Sequence, residues 1–252
     1  RPWHDDPVGF AVVGMGMGYN RAREITETSG TRLVGVCDLS EERAQKAANA
    51  FDVPYSTDIN EYLNNDEVDV VFVLTETGNH GKVAMQALSA GKHVMTTKPM
   101  DANVENCNAM IQLAKEKDLM LAVDFEMRHT PGFCALQTAV QEGHLGKIRG
   151  GNLQLKVQRT EDYFKHNNSW RGTQKLDGGG VLSNQSIHYV DQIAFTAGVP
   201  AKVRCNIWNQ VHPYIEAEDL GSAVWLYEDG SVITYNATTS YPQSTWYWQY
   251  EL

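Results

Sequence analysis

The chain has 252 residues, 42% of them hydrophobic, and 31 acidic residues against 21 basic ones give a formal net charge of −10. That length buries a substantial core in one large or two smaller domains, and the acidic balance with no Lys/Arg cluster argues against nucleic acid or an anionic membrane as a partner. The four cysteines, Cys37, Cys107, Cys134 and Cys205, form no C-x-x-C pair and read as reduced, packed thiols, and no apolar run approaches the roughly 18 residues of a membrane span.

In chain order, an apolar run, Phe10–Val13, feeds glycines at 14, 16 and 18 and a polar helical segment. A second apolar run, Leu33, Val34 and Val36, then ends on Asp38. This is a strand, a glycine turn, a helix and a strand with an acid at its tip. Glycines let backbone amides approach a pyrophosphate at a helix N-terminus, and an acid at the next strand end can accept from ribose hydroxyls. Gly14 and Gly16 fit G-x-G, the third glycine is Gly18, and Tyr19 stands where G-x-G-x-x-G has Gly or Ala. Asp38 follows at the usual offset of about 20 residues. The stretch predicts a dinucleotide site.

Ser40–Phe51 has a capping serine, acids in its first turn and abundant alanine, which predict a helix stopped by Pro54. A short helix is expected at Asp58–Leu63, then a strand in which Val68, Val70, Val71, Phe72, Val73 and Leu74 make a nearly unbroken apolar run, as in a sheet buried on both faces. That strand runs into Thr75–Asn79, and a helix over His80–Ala90 closes at Gly91. A strand at His93–Thr97 leads to Lys98–Pro99, followed by a helix at Val104–Lys117 and a strand at Leu119–Asp124. The alternation predicts a doubly wound parallel sheet, whose ligands sit beyond the carboxyl ends of the strands. Gly14–Gly18, Asp38, Thr75–Asn79, Lys98 and Asp124–Arg128 all fall there.

The pattern changes near Arg128, which predicts two domains, residues 1–127 and 128–252. The second has a helix at Phe133–Glu142 and strands at Ile148–Arg159, Val203–Val211, Ser222–Leu226 and Val232–Thr239, with a hairpin turn at Glu228–Gly230. The expected fold class is α/β plus α+β: a doubly wound parallel sheet, then an open, mainly antiparallel sheet with helices on one face. Gly178–Pro200 reads as a glycine-rich entry into a helix ending at Gly198, with Asn184, His188 and Asp191 at i, i+4 and i+7 on one side. No His, Cys and acid cluster has metal-ligand spacing.

The order T-x-T-G-N-H at Thr75–His80, G-K-H-V at Gly91–Val94, K-P at Lys98–Pro99, R-x-x-P at Arg128–Pro131 and G-G-G-x-L-x-x-x-x-x-H-x-x-D at Gly178–Asp191 resembles the Gfo/Idh/MocA oxidoreductases. The resemblance implies a Rossmann domain followed by a substrate-binding and oligomerisation domain. It also implies NAD(P)-dependent hydride transfer at a hydroxyl or keto group of a sugar, cyclitol or related polyol. It assigns catalysis to Lys98, His188 and Asn184, and cofactor binding to Gly14, Gly16, Met17, Gly18, Asp38, Thr75, Asn79, His80 and Lys98. Substrate binding falls to Lys98, Arg128, Tyr163, Trp170, Arg171, Asn184 and His188, with Lys165 and Lys175 in the same loop.

Three departures from the family pattern matter. Asn184 replaces an acid and cannot serve as a base, Thr97 replaces a glutamate before K-P, and Glu76 replaces a proline. Either His188 or Lys98 can withdraw the hydroxyl proton, the other polarising the oxygen. Asp38 favours NAD, while Ser40 and Arg43 leave NADP open.

Two other readings share the same features: a non-catalytic dinucleotide-binding sensor or regulatory subunit, and a glycoside-cleaving enzyme that uses NAD transiently. The chain is shorter than is usual for the family, and its aromatic tail, Ser244–Leu252, suggests a homo-oligomer formed through the C-terminal sheet. The expected location is cytoplasmic, and a start at Arg1 rather than Met is compatible with a removed upstream segment, an export signal included.

Overall fold

The computed structural model describes residues 6–166, 170–242 and 247–252. The chain divides into two compact units, one up to Asp124 and one from Phe125.

In the first unit β1 (Val8–Val13), β2 (Thr31–Cys37), β3 (Tyr55–Ser56), β4 (Val70–Val73), β5 (His93–Thr97) and β6 (Leu121–Asp124) form a parallel sheet in the order β3-β2-β1-β4-β5-β6. Helices α1 (Gly18–Glu27), α2 (Glu41–Phe51), α3 (Asn60–Leu63), α4 (His80–Ser89) and α5 (Val104–Glu116) connect the strands. All four β4 residues are buried, as the unbroken apolar run requires. Residues alternate along β1 between the two faces. Val12 joins Ala22, Ile25, Ala47 and Ala48 of α1 and α2 on one face, while Ala11 and Val13 join Ala84, Leu88 and Met110 of α4 and α5 on the other. Each fully buried valine or leucine contributes roughly 1.5–3 kcal/mol of burial.

The Ser40 signal acts as read: Ser40 caps α2 by accepting from the Arg43 amide. At the start of α5 the Asn103 side chain, not singled out in the sequence, accepts from the amides of Glu105 and Asn106. Strand order reverses between β1 and β4, which opens a crevice at the carboxyl end of the sheet.

The second unit contains α6 (Pro131–Gln141), β7 (Gly150–Lys156), α7 (Glu161–Lys165), α8 (Ile187–Ala197), β8 (Lys202–Trp208), β9 (Leu220–Leu226), β10 (Val232–Thr238) and β11 (Tyr247–Glu251). Its sheet runs β11-β7-β10-β9-β8, antiparallel except for the β7–β10 pair. Leu153, Leu155, Ala223, Trp225, Ile233, Tyr235 and Ala237 face Tyr189 and Ile193 of α8, so the helix covers one face of the sheet. Of the aromatic tail, residues 244–246 lie outside the described residues, and Tyr247–Glu251 are themselves a strand paired with β7.

The expected continuous helix from the glycines to Gly198 is corrected. Val181–Gln185 form a π-helical turn, Ser186 breaks the run with φ −103° and ψ 2°, and α8 begins at Ile187. The physical reason is Ser186: its hydroxyl donates to the carbonyls of Val181 and Leu182 and accepts from the Tyr235 hydroxyl, while its amide bonds back five residues to Val181. The stop is as read, with Gly198 at φ +85°. Among the described residues no helix is long and apolar enough to cross a membrane.

Candidate functional site

The first unit gathers its candidates at the carboxyl ends of its strands. Gly14 follows β1 with φ +96°, and a Cβ there would lie 2.5 Å from the Leu74 carbonyl oxygen, so only glycine lets the loop pass β4 this closely. Gly18 is buried as the first residue of α1, where a Cβ would come within 3.1 Å of Val12 and Met15. It therefore supplies the close helix–strand packing, while Tyr19 leans on Phe51 with ring centroids 5.0 Å apart. Gly16 and Met17 are exposed between them, and a Cβ on Gly16 would meet nothing within 4 Å. An open bend at the N-terminal end of a helix fits the pyrophosphate of a dinucleotide.

Asp38, at the end of β2, accepts hydrogen bonds from the Met15 amide at 2.7 Å and the Ser40 amide at 2.7 Å, and pairs with Arg43 at 2.8 Å. Burial alone would raise its pKa, but the Arg43 hydrogen bonds and the two amides hold the carboxyl below its usual range. The acid thus braces the glycine loop.

Beyond β4, Glu76 has φ −64°, the value proline would impose, so the loop keeps its course without the ring. Glu76 accepts from the Asn79 side chain at 3.1 Å, which ties down one of the expected cofactor contacts. Thr75 is half-buried, and its carbonyl faces His80 Nε2 at 3.1 Å, while His80 Nδ1 faces the Pro99 carbonyl at 2.9 Å. His80 is 1% exposed, so it joins the β4 and β5 loops and presents no ring edge to solvent. Lys98, half-buried, follows β5 immediately before Pro99. Asp101 accepts from the Gly81 amide at 2.7 Å at the start of α4, and Arg21 of α1 pairs with Asp124 at 2.8 Å.

Burial pulls the His80 pKa below its ordinary value against the raising effects of the two carbonyls and Asp101. The unfolded chain then takes up the proton first, so stability rises with pH through the window below about 6.5 and is lost on acidification through it. The unfolding midpoint of the first unit should fall between about pH 7.5 and 5.5. His80→Gln should flatten that slope, leaving the contribution of His93, whose pKa burial also lowers.

The second unit brings Asn184 and His188 together from the π-helical turn and α8. The turn needs its glycines. Gly179 has φ +144°, and a Cβ on Gly180 would overlap the Glu218 carbonyl oxygen. The Glu218 carboxylate accepts from the amides of Gly180 and Leu182, which closes the entry. Asn184 donates from Nδ2 to Asp177, and its Oδ1 accepts from Gln185 Nε2 at 3.3 Å. Asp177 is 3% exposed. The acid that family pattern puts at residue 184 is therefore present one hydrogen bond away, on a residue that no helical spacing pointed to.

His188 is 9% exposed, with Nε2 3.6 Å from Glu126 and the Phe125 ring edge-on at 5.9 Å. Glu126, in the stretch expected beyond β6, lies in a short 3-10 turn, Glu126–His129, and its contact with His188 had no sequence signal. Asp191 takes up both arms of Arg128, at 2.7 Å to Nε, and the guanidinium stacks 4.3 Å over Phe195. Arg128, expected to meet substrate, is thus committed within the protein. Tyr163 accepts from Gln185 at 2.8 Å, and Trp170 and Arg171 lie beside it, Arg171 4.8 Å over the Tyr163 ring and 4.9 Å over Trp170. Lys165 pairs with Glu161 at the surface, and Lys175 is exposed.

Residues 8–125 match the family model described as an oxidoreductase family with an NAD-binding Rossmann fold, and residues 133–251 match the GFO/IDH/MocA C-terminal domain. The chain belongs to the Gfo/Idh/MocA oxidoreductase family. Among similar family members, levoglucosan dehydrogenase of Pseudarthrobacter phenanthrenivorans is 28% identical over 65% of this chain and 42% of its own length. The scyllo-inositol 2-dehydrogenase (NAD(+)) of Bacillus subtilis is 27% identical over 76% of this chain and 54% of its own. The chain spans about half the length of the curated relatives it matches. The solved WlbA dehydrogenase of Bordetella pertussis, in complex with NADH and UDP-GlcNAcA, superposes with a TM-score of 0.91 at 27% identity, covering 96% of this chain and 70% of that one.

Proposed function

We propose that this chain carries the machinery of an NAD-dependent oxidoreductase that moves hydride between the nicotinamide and a carbinol carbon of a sugar, cyclitol or related polyol. When bound, NAD supplies the hydride acceptor, and the chain's own residues do the rest. Gly14, Gly16, Met17 and Gly18 hold the pyrophosphate at the start of α1, and Asp38 accepts from the ribose hydroxyls. Lys98, fixed behind β5, presents an ammonium that stabilises negative charge growing on the reacting oxygen.

His188 takes the hydroxyl proton, and Glu126, 3.6 Å from the ring, offsets the positive charge that the imidazole then acquires. Asn184 orients a substrate hydroxyl, its own amide held by Asp177 and Gln185. The reading rests chiefly on one observation: the chain combines a glycine bend braced by Asp38 with a separate polar cluster around a nearly buried histidine. The curated relatives named above support the substrate class.

A homo-oligomer formed through the second sheet fits the same reading. All seven residues of β8 are exposed, Ile207 and Trp208 among them, and Val224 on the adjacent β9 and Val232 on β10 are exposed too.

Incubation with NAD and a panel of sugars, cyclitols and polyols should give reduced nicotinamide with at least one member, read by absorbance and product analysis. Failure with every member would overturn the reading. In the same assay Asp38→Ala should weaken NAD binding by about tenfold or more, because both the ribose contact and the brace on Met15 are lost.

A further inference from the structure

Asn184 and Gln185 stand between two charged groups whose hydrogen-bonding roles are fixed. At one end is Asp177, which accepts from Asn184 Nδ2 and, at 2.7 Å, from the Gly172 amide. At the other end is Arg159, whose Nε and Nη2 donate to Gln185 Oε1 at 2.8 Å and 2.7 Å. The two carboxamides meet each other: Gln185 Nε2 donates to Asn184 Oδ1 at 3.3 Å, and to the Tyr163 hydroxyl at 2.8 Å. The result is one directed run of bonds, from Arg159 through Gln185 and Asn184 to Asp177.

The direction matters because a carboxamide has two unlike ends and can flip. A guanidinium only donates and a carboxylate only accepts, whatever else either of them touches. Arg159 therefore meets the oxygen of Gln185, and Asp177 meets the nitrogen of Asn184. Flipping Asn184 would set its oxygen against Asp177 and its nitrogen against that of Gln185. Bonds aligned in one sense also polarise each other, so the pull of Asp177 on Nδ2 makes Oδ1 a better acceptor. Asp177 and Gln185 are 3% and 8% exposed, whereas Asn184 is half-buried. Asn184 is thus the member through which the buried acid acts at the surface of the site.

We propose that Asp177 is a positioning residue: it fixes Asn184 with Oδ1 as its working end, so that Asn184 accepts from a hydroxyl of the sugar. Asn184 then does what an aspartate carboxylate would do there, without taking the proton. Arg159 serves the same end through Gln185. The group recognised at this point is a hydroxyl rather than an ether or keto oxygen, because only a donor satisfies Oδ1. The inference rests on reading Asn184 as part of the sugar site, and it adds which end of the amide works and what holds it so.

The test is a double-mutant cycle at residues 177 and 184. It is read as kcat/KM with NAD and the best substrate among glucose, galactose, xylose, myo-inositol and sorbitol. Asp177→Asn should lower kcat/KM by about tenfold or more, mainly through KM, with NAD affinity retained. Asn184→Ala should lower it as well, and adding Asp177→Asn to Asn184→Ala should cost no more than about twofold further. A purely structural role would instead give a loss that follows the unfolding midpoint and persists in both backgrounds. Asn184→Asp is a second arm that does not depend on Asp177→Asn folding. It sets two carboxylates against each other, so one keeps its proton in the folded protein and the pKa of the pair is raised. Its unfolding midpoint should fall relative to wild type as pH rises from about 5 to 8, because the stability carried by the shared proton is lost as that proton leaves. Turnover of Asp177→Asn within about threefold of wild type, equal losses in the two backgrounds, or an Asn184→Asp midpoint that tracks wild type across that range would each overturn the inference and leave the sugar site standing. If the wild type turns over none of the five compounds, the sugar-site reading itself fails, and this inference with it.

Discussion

Replacing Lys98 by methionine should lower turnover by about a hundredfold or more while NAD still binds. The substitution keeps most of the length of the side chain and removes only its charge. Lys98 follows β5 directly and precedes Pro99, whose carbonyl is held against His80, so the backbone that aims it does not depend on the ammonium. The pyrophosphate cradle lies on another loop, at Gly14–Gly18, and keeps its geometry through Asp38. Steady-state kinetics together with a separate NAD titration separate the two effects. Turnover within about threefold of wild type would remove Lys98 from the chemistry, whereas a parallel loss of NAD affinity would make it a cofactor ligand alone.

Gly180→Ala should be the most damaging single-atom change in the second unit. The added Cβ would overlap the Glu218 carbonyl oxygen and lie 2.9 Å from its carbonyl carbon, so backbone rather than a flexible side chain would have to move. The Glu218 carboxylate bonds that close the turn, to the amides of Gly180 and Leu182, would be strained at the same time. A cost of about 2–4 kcal/mol is expected, seen as a lower unfolding midpoint of the second unit. Because Asn184 sits four residues on, sugar turnover should fall further than residual folding explains, while NAD affinity, a property of the first unit, is retained. An unchanged midpoint would mean that the turn relaxes without loss.

Much of the first unit was legible because its signals are local. Apolar runs, caps and glycines follow one another at short range, and the ends of parallel strands necessarily share one edge, so Gly14, Asp38, Thr75 and Lys98 were placed together before any coordinates. The second site was legible only in part. Asn184 and His188 stood out by spacing, yet the helix carrying them is interrupted because Ser186 bonds to Tyr235, 49 residues away, a partner no window of sequence contains. Glu126 and Gln185 meet His188 and Tyr163 through the same kind of distant contact, whereas Asp177 bonds Asn184 only seven residues on, from outside any helix. Two expected ligands also have protein partners that the sequence did not show: His80 meets carbonyls of two loops, and Arg128 pairs with Asp191 on α8. Residue type announces capacity, and only the tertiary partner decides how it is used.

The parallel pairing of β7 with β10 also dictates an order of assembly. Apart from the β1–β4 pair, the strands of the first unit find their neighbours after one intervening helix, and its contacts close as the chain lengthens. β7 has no such neighbour. Asn152 meets Thr234, 82 positions later, and the other flank of β7 is covered by β11, which comes later still. On a ribosome, Leu153 and Leu155 would therefore emerge with both edges of their strand unsatisfied and wait for most of the second unit to be synthesised. Loop closure over that span must precede any gain from the sheet, so the second unit should be the slower to fold and the more dependent on protection while it does.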